Sequence, residues 1–472
     1  MTSFADITTI GVGGHIARFV EPTTRVGVIE AVEDADSRGL PLLVIGGGSN
    51  MLISDEPFNG VVVRDARRAI TVPDEAAPVE GDDRTVHVTA EAGANWDDFV
   101  IFTLGIGLEG VEALSGIPGT VGASVVQNIG AYGQEVATSV ESVEVWDRLA
   151  KQTREFAASD MGFAYRTSML KSGMYAANAT NAANATNESN EINTINETEE
   201  AATTGGAAAR PPRFFPTPRY VVLSVTFALR HSAYGTVGHA QLAKALGVQV
   251  GERMDTHAIR DSVLAVRLAK DMLEDPTRYA IPAMAGTKRQ ANIETELKRL
   301  AADHAADRAA DRAPDLADHT AGSAAAATAD STVGTAVGTV AAAVNSAAGL
   351  PQPDFDRHSC GSFFVNPILT AQQAATLPAD APRYAATLPD GTPGVKTSAA
   401  WLIDHAGFHK GYPNAADAAA SLSTRHTLAL TNRGNATAAD IARLAATIRD
   451  GVEAAYGIRL VPEPIVVGFD LR

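Results

Sequence analysis

The chain has 472 residues, a formal net charge of −17 and one cysteine, Cys360. Its length predicts about three domains, its negative charge argues against binding to nucleic acid or to an anionic membrane, and a single cysteine excludes an internal disulfide. The chain opens without a basic and apolar leader and contains no run of about 18 apolar residues, so the sequence predicts a cytoplasmic protein without membrane insertion.

The N-terminal segment predicts a small α/β unit. Apolar spacing in residues 25–38 predicts a helix, and the apolar runs 42–45 and 61–63 predict short buried strands. Residues 46–50, with the sequence GGGSN, directly follow the first of these strands. Successive backbone N–H groups in such a turn can bind a phosphate. Taken alone, GGGSN is equally typical of a tight turn, and it lacks the ending of a P-loop.

A glycine-rich ribbon, residues 114–136, carries no charge between Ser115 and Gln134. Glycine lets a backbone approach a ligand closely, and the side-chain amides of Gln127 and Asn128 can both donate and accept hydrogen bonds. Such a segment suits a flat cofactor that is held by backbone groups. A glycine-rich surface loop is the alternative that composition leaves open.

Regular elements are predicted on both sides of the ribbon. Helices are expected at 95–104, at 262–273 with Arg267 and Lys270 on one face, and at 438–456; strands are expected at 140–146, 220–229 and 458–467. Two stretches, 176–212 and 281–350, have too few large apolar residues to bury a core and are predicted to be disordered insertions. No Cys/His spacing typical of a metal site occurs, so no metal is expected.

Several motifs, in order along the chain, carry a family resemblance. They are GGGSN, SGIPGTVGASVVQNIGAYGQE, FAYRTS, GSFFVNP, AAWLIDHAGFHKG and the late PEP. Together they resemble the UDP-N-acetylenolpyruvoylglucosamine reductases, the MurB family of flavoenzymes.

This resemblance implies an α+β fold with a two-part FAD-binding domain of the vanillyl-alcohol oxidase type and a C-terminal α/β substrate-binding domain. It places the FAD-binding parts in residues 1–72 and 73–270 and the substrate-binding domain in 351–458. A C-terminal strand in 459–472 is expected to return to the active site. The insertions at 176–212 and 281–350 interrupt the family pattern and are expected to be tolerated spacers.

The resemblance also implies the activity, that of a UDP-N-acetylmuramate dehydrogenase. Such an oxidoreductase uses FAD as cofactor and NADPH as reductant, and it converts UDP-N-acetylglucosamine enolpyruvate to UDP-N-acetylmuramate in peptidoglycan synthesis. Cell wall biogenesis, cell shape, the cell cycle and cell division depend on that pathway. A cytoplasmic monomer is expected.

The family's site residues are carried over by motif. Arg166 matches the arginine that stabilises the enolate, Glu463 the acidic residue and Ser362 the proton donor. Tyr165, Asn366 and His405 match residues that bind substrate, and Lys270 matches a lysine that binds the substrate diphosphate or the phosphates of the reductant. The residues that match the flavin-binding positions are Gly47, Gly48, Ser49, Asn50, Ile117, Pro118, Gly119, Gly122, Ala123, Gln127, Asn128 and Gly130.

Two positions depart from the family pattern. His239 occupies the place of a tyrosine that caps the substrate diphosphate, and the nearby Tyr234 is the alternative. His405 stands where Gln or Glu is common.

Two other functions stay open at this stage. One is an FAD-dependent oxidase on the same domain type; the ribbon has no adjacent His or Cys anchor for a covalent flavin, which argues against it. The other is a noncatalytic flavin-binding protein, which the joint presence of Arg166, Ser362 and Glu463 disfavours.

Overall fold

The structure is a computed structural model. It describes residues 1–73, 85–175, 216–289, 295–296, 298–300, 302, 354–388, 390–469 and 471. The expected insertion at 176–212, and most of the one at 281–350, lie outside these residues.

The first unit is a parallel sheet covered by a helix. Its elements are α1 (Phe4–Ile7), β1 (Ile16–Val20), α2 (Arg25–Ser37), β2 (Leu42–Ile45), β3 (Met51–Ile53) and β4 (Phe58–Arg64). The strand order is β1–β4–β2, and both pairings are parallel. Parallel strands are covered on both faces, and the apolar side chains of α2 accordingly pack on β2 and β4 and also on Trp146 and Leu223 of the next unit.

The second unit is an antiparallel sheet with the ribbon on one side. Its elements are β5 (Ile70–Thr71), β6 (Thr85–Glu91), α3 (Trp96–Gly105), β7 (Leu108–Glu109), α4 (Val121–Gln127), β8 (Gly130–Ala131), β9 (Gln134–Glu135), β10 (Val140–Asp147), β11 (Gln152–Ala157), α5 (Met169–Tyr175) and β12 (Tyr220–His231). The order is β11–β10–β12–β6–β5, with β7 also on β12. Phe99 of α3 packs on Phe227 of β12 with ring centroids 4.4 Å apart. Val121 and Val125 of the ribbon belong to the same core, so α3 and the ribbon both pack on the sheet.

A connecting segment follows β12. It contains β13 (Tyr234–Thr236), α6 (Ala240–Leu246), β14 (Arg253–Asp255) and α7 (Thr256–Leu268). Asp255 is the N-cap of helix α7, and its side chain accepts hydrogen bonds from the backbone N–H groups of His257 and Ala258. The helix ends before the predicted limit of 273, and Asp271 has left-handed backbone with φ of 52°. Lys270 therefore lies just beyond the helix.

The predicted insertion at 281–350 is wrong at its N-terminal end. Met284 is 2% exposed and packs in the core of the first unit. Leu300 packs against Leu264 and Leu268 of α7 and against Leu273, which follows that helix. Arg289 is buried against Asp97 of α3. The composition of the whole stretch concealed these packed residues, and a deletion intended to spare these three side chains must begin after residue 300.

The C-terminal domain has its own core around one long helix. Its elements are β15 (Ser359–Ser362), β16 (Ile368–Leu369), α8 (Ala371–Ala375), β17 (Tyr384–Thr387), β18 (Pro393–Lys396), α9 (Ala399–His405), β19 (Ala420–Leu422), β20 (Ala429–Asn432), α10 (Ala438–Tyr456) and β21 (Ile465–Val467). Two small sheets, β15–β20–β19 and β16–β18–β17, frame the domain. Helix α10 matches the predicted bounds and carries a complete capping box at Thr437. None of the described helices is long and apolar enough to cross a membrane.

The chain then returns to the first unit. Strand β21 pairs in parallel with β3, with Ile465 opposite Met51. It is shorter than the predicted strand 458–467 because Pro462 and Pro464 lack the N–H that a ladder requires. The return brings Glu463 beside β15, where its backbone N–H donates to the Phe363 carbonyl at 2.8 Å.

Asp97 joins the connecting segment to the second unit. Its carboxylate accepts two hydrogen bonds from Arg260, at 2.7 and 2.9 Å, one from Arg289 and one from the Gly116 backbone N–H. Burial alone would raise the pKa of Asp97, but the charges of Arg260 and Arg289 outweigh it and hold the pKa below its usual value.

We expect Asp97→Asn to destabilise the fold, because it removes the most deeply buried carboxylate that Arg260 and Arg289 share and leaves these two buried guanidinium groups with the more exposed Glu296 and Asp98. The expected loss in the free energy of unfolding is about 3–5 kcal/mol, measured by denaturant titration. Glu453→Gln, which removes an exposed ion pair with Arg459 on α10, should change it by less than about 1 kcal/mol. Equal effects of the two substitutions would contradict the role given to Asp97.

Candidate active site

A cavity of about 450 Å³ lies between the first unit, the second unit and the C-terminal domain. All three contribute to its lining, together with the connecting segment. The lining includes residues 46–51, 117–120, 122–124, 127, 129–132, Arg166, His239, Gln241, Arg267, Lys270, 360–362, His426, Glu463 and Ile465. The cavity thus collects residues from segments that are distant in sequence.

The glycine loop after β2 packs directly on the ribbon. A Cβ on Gly47 would lie 2.8 Å from the Gly119 Cα, and one on Gly48, whose φ is 65°, would lie 2.1 Å from the Ile7 carbonyl oxygen. The Ser49 hydroxyl donates to the Pro118 carbonyl at 2.8 Å. Only glycine allows this backbone-to-backbone approach, so a cradle without bulky side chains forms at this wall of the cavity.

Asn128 fixes the end of α4 rather than lining the cavity. It is 1% exposed and takes the left-handed conformation at the helix C-cap, with φ of 50°. Its side-chain amide donates to the Ala164 carbonyl at 2.9 Å and accepts from the Ala137 N–H at 3.2 Å. These bonds tie the ribbon to the turn that carries Arg166.

Arg166 sits at the tip of that tight turn. Ala164 and Thr167 exchange two backbone hydrogen bonds around Tyr165 and Arg166, and Arg166 has φ of 59°. A left-handed arginine is uncommon and costs roughly 1–3 kcal/mol. Its Nη2 donates to the Gly130 carbonyl at 2.6 Å, so the guanidinium is held against the ribbon where it lines the cavity.

Glu463 lies next to Arg166. The distance from Arg166 Nε to Glu463 Oε1 is 3.1 Å, although the Nε–H does not point along a hydrogen bond in this arrangement. Glu463 Oε1 instead accepts from Gln127 Nε2 at 3.1 Å. Both partners of the pair are mostly shielded from solvent, with 19% and 17% of their side chains exposed, which strengthens the attraction between them.

Ser362 lies at the end of β15 and contacts a buried imidazole. Its Oγ is 3.4 Å from Nε2 of His426. Burial, and then the positive charges of Lys270, Lys410 and Arg267, lower the pKa of His426 to about 4. His426 is therefore neutral near pH 7 and keeps one ring N–H.

Two cations line the cavity near α7. Arg267 is buried; its Nε donates to the Gly116 carbonyl at 3.1 Å and its Nη2 to the Met272 carbonyl at 2.9 Å. Lys270 Nζ donates to Gln241 Oε1 at 3.0 Å. Within the part of the chain that the structure describes, neither side chain pairs directly with a carboxylate. Burial, above all, lowers the pKa of both groups, and an anion in the cavity would reverse that effect.

Of the two residues considered for the lid position, His239 lines the cavity and Tyr234 does not. His239 is the N-cap of α6, where its Nδ1 accepts from the Gln241 N–H at 3.2 Å. Its ring meets Tyr132 edge-on, with centroids 5.9 Å apart. Tyr234 on β13 is 57% exposed.

Three predicted substrate residues lie outside the cavity lining. Tyr165 and Asn366 contact each other, with Asn366 Nδ2 3.4 Å from the Tyr165 hydroxyl, and Tyr165 also lies under the guanidinium of Arg166. His405 is not brought to this group: its ring stacks on Trp401 at 3.9 Å. The remaining predicted residues, apart from Asn128, all line the cavity.

Sequence reasoning assigned no role to two residues of the cavity lining, Arg267 and His426, or to Lys171 beside it. Lys171 follows Arg166 by five positions and lies just after the FAYRTS motif. Arg267 precedes Lys270 by three positions, and His426 lies in the STRHTLAL segment that leads into β20. Lys171 and Arg267 are charged residues close in sequence to predicted site residues, and that proximity was a usable signal. His426 gave none, because a single histidine between polar residues is common on surfaces.

Comparisons with known proteins complete the description. Residues 6–154 match the family model described as an FAD binding domain, and residues 352–467 match the C-terminal domain of UDP-N-acetylenolpyruvoylglucosamine reductase. A curated protein of that name from Thermobifida fusca is 35% identical, and the alignment covers 99% of this chain and 97% of that protein. Another, from Cutibacterium acnes, is 36% identical, with 98% of this chain and 89% of that protein covered. The solved reductase from Thermus caldophilus is 20% identical and covers 99% of this chain and 97% of its own, with a TM-score of 0.47.

Proposed function

The chain belongs to the UDP-N-acetylenolpyruvoylglucosamine reductase family, and we propose that Arg166, Glu463 and Ser362 carry its reaction. The protein is an FAD-dependent oxidoreductase that uses NADPH to reduce UDP-N-acetylglucosamine enolpyruvate in peptidoglycan synthesis. The product is UDP-N-acetylmuramate. The observation that supports the three roles is their placement at one cavity, with Arg166 Nε 3.1 Å from Glu463 Oε1.

The residues around the cavity suit FAD. The glycine loop, including Gly47, Gly48, Ser49 and Asn50, would hold the diphosphate through its backbone N–H groups, and the uncharged ribbon would hold the flat ring. When bound, FAD takes two electrons from NADPH and delivers them to the enolpyruvyl double bond. We also propose that residues 1–72 and 73–270 form the two FAD-binding parts, that 351–458 form the substrate-binding domain and that 459–472 return to the active site.

Arg166 would stabilise the charge that develops on the substrate. Hydride addition at the terminal methylene carbon pushes negative charge onto the neighbouring carboxylate. A planar guanidinium can bind a carboxylate through two parallel hydrogen bonds, and Arg166 is already fixed by the Gly130 carbonyl, so little reorganisation is needed. Glu463 limits the net positive charge beside it.

Ser362 would supply the proton to the carbon that carries this charge. A serine hydroxyl is a weak acid, so a neighbour must stabilise the oxygen as its proton leaves. His426, neutral and 3.4 Å away, can do so by donating its ring N–H to Oγ. In that arrangement the hydroxyl proton of Ser362 is free to point into the cavity.

Lys270 and Arg267 would bind the diphosphate of the sugar nucleotide. We expect Lys270→Met to raise the KM for UDP-N-acetylglucosamine enolpyruvate by about 10- to 100-fold, since a charged hydrogen bond contributes roughly 1.5–3 kcal/mol, with a smaller change in kcat. Steady-state kinetics with NADPH held saturating measures this. Lys244→Met, on the exposed side of α6, should leave both constants unchanged. A fall in kcat alone would speak against a binding role.

The visible spectrum tests the function as a whole. The purified protein should show oxidised flavin bands that NADPH bleaches, and the enolpyruvyl sugar nucleotide should restore them without oxygen. Restoration by oxygen only, with the sugar nucleotide inactive, would favour an oxidase. Absence of bleaching by NADPH would favour a noncatalytic flavin-binding protein.

We also propose that the protein acts as a monomer in the cytoplasm, where NADPH and UDP-sugars are supplied, and that its activity supports cell shape and division through the cell wall. Light scattering of the purified protein and localisation of a tagged copy test these points.

A further inference from the structure

Lys171, in the first turn of α5, lies behind the Arg166–Glu463 pair and has no role in the reaction so far. We propose that Lys171 is a positioning residue that fixes the orientation of the Gln127 amide and, through it, of the Glu463 carboxylate. This inference rests on the roles proposed for Arg166 and Glu463.

The Lys171 ammonium bonds to three separate segments. Nζ donates to the Gln127 side-chain oxygen at 2.7 Å, to the Glu463 backbone carbonyl at 3.2 Å and to the Arg166 backbone carbonyl at 3.3 Å. An ammonium has three N–H donors, and these three acceptors can use all of them. Lys171 thus joins α4, the segment before β21 and the turn of Arg166, although it does not line the cavity.

These bonds determine which way the Gln127 amide faces. Because Oε1 accepts from Lys171, Nε2 is turned toward Glu463 and donates to its Oε1 at 3.1 Å. The opposite orientation would place the NH₂ group against an ammonium and the oxygen against a carboxylate, and both contacts would be repulsive. Lys171 therefore selects the one orientation in which Gln127 stabilises Glu463.

Lys171 is itself held in place from the other side. Ser168 Oγ donates to the Val126 carbonyl of α4 at 2.7 Å and accepts from the Lys171 backbone N–H at 3.3 Å. The start of α5 is thereby fixed on α4, the helix that carries Gln127. A continuous chain of hydrogen bonds therefore runs from the start of α5 through Lys171 and Gln127 to the Glu463 carboxylate.

The test separates the two half-reactions of the FAD-loaded enzyme by stopped-flow spectroscopy. Glu463 and Arg166 act on the enolpyruvyl group, so we expect Lys171→Met to slow the half-reaction with the sugar nucleotide by at least about 30-fold. The half-reaction with NADPH should stay within about threefold. Lys171→Arg keeps a charged donor, so it should be at least about threefold faster than Lys171→Met in the half-reaction with the sugar nucleotide. A general packing defect would slow both half-reactions and lower Tm in parallel.

A double substitution tests whether Lys171 acts through Gln127. The variant that combines Lys171→Met with Gln127→Leu should be no slower with the sugar nucleotide than the slower single variant, because both remove the same support. A crystal structure of the FAD-loaded Lys171→Met variant should show the Gln127 side chain displaced from its contact with Glu463. Additive rate losses, or an unchanged amide, would overturn the proposal.

Arg166→Ala, measured in parallel, distinguishes the failure of this inference from that of the proposed function. If Arg166→Ala is slow with the sugar nucleotide and Lys171→Met is normal, only the positioning role is overturned. If Arg166→Ala is also normal, the proposed roles of the pair fail and this inference falls with them. If Lys171→Met does not fold, Lys171→Gln, which retains two donors, replaces it with the same expected difference between half-reactions.

Discussion

Ser362→Ala is expected to slow the half-reaction with UDP-N-acetylglucosamine enolpyruvate by about 10²–10⁴-fold, the usual contribution of a positioned general acid. The variant keeps β15 and the His426 imidazole but removes the only atom that we propose delivers the proton. The half-reaction with NADPH does not use that proton, so the rate at which NADPH bleaches the flavin absorbance should stay within about threefold of the unsubstituted enzyme's rate. Stopped-flow measurement of the two half-reactions under anaerobic conditions gives both rates.

The control for this experiment is Ser37→Ala at the end of α2, where the hydroxyl bonds only locally to the Asp34 carbonyl. It should leave both half-reactions unchanged. If Ser362→Ala slows the two half-reactions equally, the hydroxyl supports the flavin environment and is not the proton donor.

Arg166→Lys is expected to lower kcat/KM for the sugar nucleotide by about 10²–10³-fold, the usual effect of losing one preorganised electrostatic contact. Lysine keeps the positive charge, but it lacks the planar fork that can bind a carboxylate and the Gly130 carbonyl together. Lysine and arginine have about the same conformational cost in left-handed backbone, so Tm should change little. Steady-state kinetics and thermal unfolding measure the two quantities.

The same substitution at Arg443, which is 72% exposed on α10, should have no effect on either quantity. Near-normal turnover of Arg166→Lys would show that charge alone is sufficient at this position. The bidentate role proposed for Arg166 would then be wrong.

The glycine loop and the ribbon can be located in the sequence because short local motifs mark them. Gly47, Gly48 and the ribbon glycines belong to short motifs, and the absence of side chains there is visible in the sequence itself. A Cβ on Gly47 would clash with Gly119, and Gly119 itself has φ of 132°, so each position requires glycine for its own reason. The bounds of α10 were equally accessible, since a capping residue and a final glycine mark its ends.

Contacts between distant segments could not be predicted in this way. Lys171 acquires its three acceptors only when α4, the Arg166 turn and the segment before β21 meet, and no local pattern encodes that meeting. His405 and His426 illustrate the same limit. The family motif favoured His405, whereas the structure stacks it on Trp401 and places His426 at the cavity beside Ser362.

The N-terminal end of the second insertion was mispredicted for a different reason. Composition averages over a window, and the alanine-rich residues that follow outweighed Met284, Arg289 and Leu300. Those three side chains are buried because of specific partners: the core of the first unit, Asp97, and the leucines around α7. Packing of single residues is invisible to an average.

The parallel pairing of β21 with β3 has a consequence for how the protein reaches activity. The pairing adds Val467 to the core of the first unit and brings Glu463 to Arg166, so both contacts form only after the ribosome has made the last residues of the chain. Contacts between residues so far apart along a chain form late. A truncated product that ends before residue 463 lacks part of the cavity lining and the carboxylate beside Arg166, so turnover should begin only when synthesis is complete.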